Sequence, residues 1–439
     1  MIKRRRFPRI FFGWWTVVIS GLVAMWAVGY YGFGFSSLFK PMASELGFSR
    51  VVTSVADSIS RLSIGLAAPV TGWLTDRFGP KWISLFGVFL IGLSLTLMNF
   101  VNSLWAFYIV WGVMLGLGFN MGTMLPVQKA IADWFVKKRG VATGIHWALR
   151  GLSGVLVLPL IAWFIITQDW RAACLIGGVV MWLFGLPLIW FFLRQHRPEY
   201  YGLLPDGATT VEEATDTGQM IDRGVEYAVE VQEVEFTLRQ AMRTPAYWLL
   251  ILAFGVQALS IHPVTVHSIP FLTDIGIDPL RAAGMLAMTA LASIPSRIAG
   301  GFIIDRVKKQ HLRFVLAATY LLQAVGIIVF LLNRSIAMIY VWFILRGLGM
   351  GGAMIMTHPI TARYFGRKAF GSIRGFTTMF LIPIGMASPI YLGWVYDTTG
   401  SYIDAFTLVA VVLAMTAVLA SFILPPKPPA QVTDIRKFV

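Results

Sequence analysis

Twelve apolar blocks, each about as long as a helix must be to cross a bilayer, dominate this sequence and leave few folds open to it. The first six fall near residues 12–39, 51–73, 82–100, 104–128, 140–166 and 170–193. A second six fall near residues 246–272, 280–304, 314–332, 336–360, 371–396 and 403–424. Lipid offers no partner for an open backbone N–H or C=O, so a crossing block closes its own hydrogen bonds as a helix. Only 13% of residues are charged, against roughly 25% in soluble domains, and 57% are hydrophobic. The chain reads as an all-α integral membrane protein.

The charges define its topology. A net charge of +15 would suit nucleic acid, but the positive residues lie mostly between the apolar blocks, so no nucleic-acid partner is expected. With the N-terminus inside, 26 of the 36 Lys and Arg fall on the cytoplasmic side, which predicts cytoplasmic N- and C-termini. Lys3 to Arg6 resemble the start of a signal peptide, yet the apolar stretch that follows is too long for one and reads as a retained first span. Between the two sets of spans, residues 194–243 hold 10 of the 21 acids and read as a solvated linker; within it Thr237 to Met242 suits a short surface helix. The expected organisation is a six-helix bundle over 1–193, a cytoplasmic linker over 194–245 and a second six-helix bundle over 246–439. The single cysteine, Cys174, excludes an internal disulfide framework.

The two sets repeat each other. Gly72-Trp73-Leu74-Thr75-Asp76-Arg77 recurs as Gly301-Phe302-Ile303-Ile304-Asp305-Arg306, and Trp134-Phe135 before Lys137-Lys138 recurs as Tyr364-Phe365 before Arg367-Lys368. Two motifs at nearly one spacing indicate duplicated, pseudo-symmetric halves, an architecture that places substrate between them near the midplane.

Gly72 to Lys81, reading GWLTDRFGPK, resembles the signature loop between spans two and three of the major facilitator superfamily, with its weaker copy at Gly301 to Lys309. Tyr31-Gly32-Phe33-Gly34, Asp169-Trp170-Arg171, the run RPEYYGLLPDG from Arg197 and the run YDTTGSY from Tyr396 are similar to the monocarboxylate porter and oxalate:formate antiporter group. The resemblance implies twelve helices in two bundles, transport by alternating access, and a cation in span eight that pairs with a substrate carboxylate, a place taken here by Arg297. It also implies that Asp76 and Arg77, with Asp305 and Arg306 in the repeat, form a gate-stabilising network. The chain departs from the group at Ser293, where many animal carriers have Asp, near Phe33, where they have Lys, and in span eleven, which lacks the Lys of the oxalate exchangers.

The interior charges point the same way. Arg61, Arg150, Arg297 and Arg346 lie well inside spans two, five, eight and ten, and each would cost about 2.5 to 3.5 kcal/mol facing lipid. Asp57 is the one acid away from span ends, and at i, i+4 from Arg61 it predicts an intrahelical ion pair. The remaining surplus calls for an anion, which a planar guanidinium binds with two parallel hydrogen bonds. Candidate substrate contacts are therefore Arg297, Arg61, Arg150 and Arg346, with Tyr31 and His262 beside them, and Asp57 is a candidate for coupling. A structural reading stands beside each: helix carbonyls can hold an Arg, and His146, His262 and His267 can be hydrogen-bonded polar residues. His358 and Lys129 read as snorkelling near cytoplasmic span ends.

No HExxH, CxxC, phosphate loop or GxSxG elbow is present, so the sequence favours a carrier over a membrane enzyme and calls for no cofactor and no metal. The leading expectation is a monomeric, multi-pass cell-membrane carrier of a small organic anion, a monocarboxylate or dicarboxylate, driven by proton symport or by exchange. An inorganic anion such as nitrate, drug efflux, or a non-transporting receptor with the acidic linker as output are the alternatives.

Overall fold

The computed structural model describes residues 10–48, 50–208 and 234–428. Among them twelve helical spans run in the expected order. Span one is three consecutive segments, Phe12–Val28, Gly29–Gly34 and Phe35–Leu46, the middle one a wider π turn at the Gly-Tyr-Tyr-Gly-Phe-Gly run. Spans two to six cover Arg50–Phe78, Pro80–Leu97, Leu104–Trp134, Arg139–Thr167 and Trp170–Phe192. Spans seven to twelve cover Pro245–Asp274, Pro279–Arg306, Leu312–Leu332, Ile336–Phe365, Phe370–Thr399 and Ile403–Ser421. Ten helices among the described residues are long and apolar enough to cross a membrane. Span two is not among them, and span seven contributes the shorter apolar stretch Pro245–Ile261.

Each half has its own hydrophobic core. One cluster draws on residues of the first six spans, among them Trp111, Phe107 and Val88, and another on the last six, among them Trp342, Phe330 and Tyr320. Around them the outer surface stays apolar, with Ile166 and Leu332 each 83% exposed. Such a surface is stable against hydrocarbon and not against water. The protein is a multi-pass membrane protein.

The halves meet along two pseudo-equivalent seams, span two on span eleven and span eight on span five. Glycine makes both seams possible. At Gly301 a Cβ would lie 2.6 Å from the carbonyl oxygen of Gly140, and at Gly371 it would lie 2.6 Å from that of Gly72, so neither position admits a side chain while the backbones touch. Gly301→Ala is therefore expected to part spans five and eight, shifting the conformational equilibrium away from this state by roughly 5- to 150-fold for an overpacking cost of about 1–3 kcal/mol. Spin labels at Lys138 and Gln310 would report the change as a longer distance; an unaltered distance distribution would contradict it.

The described ends of the linker are not loosely solvated. Glu199 and Asp206 are buried. Asp206, in the left-handed region at φ 62, accepts hydrogen bonds from the amides of Val136, Lys137 and Lys138, at 2.8 Å from Lys137. At the far end Glu235 accepts from the amide of Lys368 at 2.6 Å, the pseudo-equivalent position in the second half. The short helix forms over Leu238–Met242, with Thr237 and Gln240 closing a capping box. Residues 209–233, the middle of the linker, lie outside the described residues.

Candidate functional site

A cavity of about 670 Å³ lies between the halves. Its charged lining is Asp57 and Arg61 from span two, Arg150 from span five, His358 from span ten and Arg374 from span eleven. Asn120, Gln128 and Gln257 add amides to the wall. The predicted ion pair forms, with Arg61 Nε 2.9 Å from Asp57 Oδ2.

Two cations of this lining, Arg150 and Arg374, have no carboxylate within ion-pair distance among the described residues. Arg150 lies between aromatic faces, its guanidinium carbon 4.7 Å from the ring centroid of Trp147 and 5.1 Å from that of Phe119. Arg374 is 4% exposed, and its Nε and Nη1 have no hydrogen-bond partner among the described residues. The guanidinium carbon of Arg374 lies 5.6 Å from the ring centroid of Phe254. A cation–π contact of about 1–2 kcal/mol falls short of the several kcal/mol that an unpaired buried charge costs. His358 stacks on Trp147 with ring centroids 6.0 Å apart, and its Nδ1 is likewise without a partner.

The other sequence candidates are placed differently. Arg297 is 8% exposed and does not line this cavity: its Nη1 donates to the Trp147 carbonyl oxygen at 2.8 Å, across the seam between spans eight and five, and its Nη2 lies 3.9 Å from Met354 Sδ. Arg346 is 2% exposed and donates to the Ile261 carbonyl oxygen at 3.1 Å, tying span ten to span seven. Tyr31 sits on the π turn of span one, accepts a hydrogen bond from Ser60 Oγ at 2.9 Å, and stacks on Phe119 with centroids 4.3 Å apart. It thus supports the ring that carries Arg150. The side chain of His262 lies outside the described residues.

The cavity is closed at one end by two latches. Asp76 accepts hydrogen bonds from the Gly371 amide at 3.0 Å, the Ser372 amide at 2.7 Å and the Ser372 hydroxyl at 2.8 Å, capping the start of span eleven. Asp305 caps span five in the same way, accepting from Gly140 at 2.6 Å and Val141 at 2.8 Å. Neighbouring Arg77 and Arg306 make no ion pair with either carboxylate among the described residues. Each lies over an aromatic ring of its own helix, Arg77 5.2 Å from Trp73 and Arg306 6.0 Å from Phe302. Beyond the latches Gly65 packs against Ile382, and one turn further along span two the Arg61 side chain is 40% exposed.

Lys129 and His358 do not snorkel. Lys129 is buried, lies 3.2 Å from Asp133 and 3.8 Å from Asp76, and donates to the carbonyl oxygen of Arg367 in the opposite half. Arg367 is 3.6 Å from Glu199, and Arg197 joins Asp133 at 3.8 Å to Glu235 at 3.6 Å. Burial pushes the Glu199 carboxyl up from its usual range, and the Arg367 charge draws it back. Glu199 and Glu235, from the described ends of the linker, are therefore part of the closed end. A carboxylate is recognised in sequence as a loop charge, and only the fold reveals which cation it meets.

A translocation path with a closed end, a polar centre and duplicated walls defines a carrier. Residues 17–387 match the family model described as the Major Facilitator Superfamily, and the chain belongs to that superfamily. Over 393 residues it is 23% identical to monocarboxylate transporter 12 of Mus musculus, an alignment covering 87% of this chain and 78% of that protein. It is also 23% identical over 431 residues to the oxalate:formate antiporter of Oxalobacter formigenes, covering 94% and 91%. Among solved structures, the proton:xylose symporter XylE superposes with a TM-score of 0.68 at 10% identity over 94% of each chain. The human organic anion transporter MFSD10 superposes with a TM-score of 0.64 at 15% identity, over 93% of this chain and 98% of that one. These two likenesses show the fold alone.

Proposed function

We propose that this chain is a secondary active transporter of a small organic anion, a monocarboxylate or dicarboxylate, moved by alternating access. The observation that carries the reading is the pair of cavity cations, Arg150 and Arg374, that have no carboxylate partner among the described residues. The names of relatives similar to the chain, a monocarboxylate transporter and an oxalate:formate antiporter, support the same substrate class. An inorganic anion such as nitrate suits the same charges and is separated by experiment. Counterflow of labelled small carboxylates into proteoliposomes tests the proposal. Saturable counterflow competed by carboxylates is the expected result; competition by nitrate alone would select the inorganic reading, and no counterflow of either would overturn transport of an anion.

In this reading Arg150 and Arg374 meet the anion first, and Arg297 exchanges the Trp147 carbonyl for a substrate carboxylate as spans five and eight slide during closure. Arg297→Gln is then expected to spare binding from the open side within about threefold while lowering transport at least about tenfold, with Arg297→Lys between, because Lys keeps the charge and loses the planar fork. Binding by calorimetry beside uptake checks the split. Equal loss of both would place Arg297 in the first contact instead.

The Asp57–Arg61 pair is proposed as the coupling element. Ionised Asp57 holds Arg61; protonated Asp57 releases it toward the cavity, so proton and anion uptake become linked. Asp57→Asn is expected to abolish net uptake driven by a pH gradient and to preserve anion exchange. Loss of both in proportion to protein level would make the pair purely structural.

A further inference from the structure

A second cavity, of about 250 Å³, lies at the latched end between the turn after span four and the turn after span eight. Six cations line it: Lys137 and Arg139 from the first half, and Arg306, Lys308, Lys309 and Arg363 from the second. One acid, Asp305, accompanies them. Its carboxylate is already engaged by the amides of Gly140 and Val141, with Arg363 Nη2 at 3.9 Å, and makes no ion pair with Arg306 or Lys308. Two of the cations hold the walls in place. Arg139 donates to the carbonyls of Phe135 and Ala132 at 2.8 and 2.9 Å, and Arg363 donates to that of Val307 at 2.9 Å.

The pseudo-equivalent place in the other seam shows what such a cluster requires. There Lys129, Arg197 and Arg367 each have a carboxylate within 4 Å, from Asp133, Glu235 and Glu199, two of them supplied by the linker. Here Arg306 and Lys308 are exposed and make no ion pair or hydrogen bond among the described residues, and the space between the walls is left as a cavity. Its volume is below the roughly 300–1,000 Å³ of pockets that hold drug-sized molecules, and suits a compact polyanion. A phosphate group, with up to two charges and several strong acceptor oxygens, matches cations converging from two sides better than a single carboxylate does. Phe302 and Ile303, beside Arg306, are 46% and 49% exposed on the lipid-facing surface, so a headgroup has access as well as a dissolved ion.

We propose that this cavity binds a phosphate-bearing anion that bridges the two halves and stabilises the conformation closed at this end. The inference is independent of the transported substrate.

The test uses the full-length protein in phosphatidylcholine nanodiscs at constant ionic strength, with phosphatidylglycerol added to the disc or inorganic phosphate to the buffer. Two readouts are followed, the unfolding temperature and the distance between spin labels at Lys138 and Gln310. Wild type is expected to show a rise in unfolding temperature that grows with anion content, and a narrower, shorter distance distribution. In Arg306→Gln/Lys308→Gln the same rise is expected to need at least about tenfold more anion. An Arg243→Gln/Lys427→Gln control removes equal charge elsewhere and should behave as wild type. A response to phosphatidylglycerol alone supports a lipid headgroup as the source, and a response to inorganic phosphate supports a free ion. No response to either, the same response in the cavity variant, or an equal loss in the control would overturn the site.

Discussion

Arg374→Gln is expected to raise the unfolding temperature of the empty protein while abolishing the stabilisation that a carboxylate substrate confers. The two effects have opposite signs for one physical reason. Without substrate, Arg374 is a buried guanidinium whose Nε and Nη1 have no partner among the described residues, and leaving such donors unmet costs about 1–3 kcal/mol or more. Gln removes the charge and most of that cost. With substrate, the same donors form charge-assisted hydrogen bonds, and their loss should weaken binding by about 2–3 kcal/mol, roughly 30- to 150-fold. Arg374→Lys keeps the charge and should lose about tenfold, because one ammonium cannot reproduce two parallel bonds. Unfolding scans with and without a transported carboxylate read both effects. An arginine that merely held spans together would give the contrary pattern, with lower stability and a preserved ligand shift.

Arg374 also marks where the sequence ceases to be legible. It stands four residues into span eleven, and counting loop charges puts it with the cytoplasmic turn. What buries it is the capping of Gly371 and Ser372 by Asp76, a carboxylate 295 residues away from Gly371, which fixes the start of the span against the other half. No local pattern encodes that. The spans themselves were readable because membrane thickness imposes a length on any crossing helix. The Asp57–Arg61 pair was readable because i, i+4 is a property of one helix. Asp76 and Asp305 were readable as a repeat, though their role as caps on the opposite half was not. For the mid-span arginines, sequence shows that each needs an interior partner but not which kind. Arg297 and Arg346 found backbone carbonyls, Arg61 found Asp57, and Arg150 found aromatic faces. The described ends of the linker were misjudged for a related reason. Acid-rich composition signals solvation, but Glu199, Asp206 and Glu235 meet cations and amides brought to them by both halves.

Neutralising both latches, Asp76→Asn with Asp305→Asn, is expected to open the closed end and to invert the resting conformation. Each carboxylate accepts two backbone N–H bonds at the first turn of a helix in the other half, where the positive end of the helix dipole adds to the attraction. Asn keeps one acceptor oxygen and no charge, a loss of about 1–2 kcal/mol per latch. The latches lie on separate seams and share no side chain, so their effects should add to about 2–4 kcal/mol, roughly 30- to 1,000-fold in the equilibrium between conformations. The single variants should differ. Each carboxylate has one cation beside it, the Lys129 ammonium 3.8 Å from Asp76 and the Arg363 guanidinium 3.9 Å from Asp305, so it is the Ser372 hydroxyl, a third donor to Asp76, that should make the loss at Asp76 the larger. Asp133 remains 3.2 Å from that ammonium and limits the excess to less than a full unpaired charge. Spin labels at Lys138 and Gln310 should move apart in the double variant, and a cysteine introduced at Gln128, which lines the central cavity, should react with a polar reagent applied from the latched side. Labels that keep their wild-type distance in a folded double variant would show that packing at the glycine seams, rather than the carboxylates, holds this end closed.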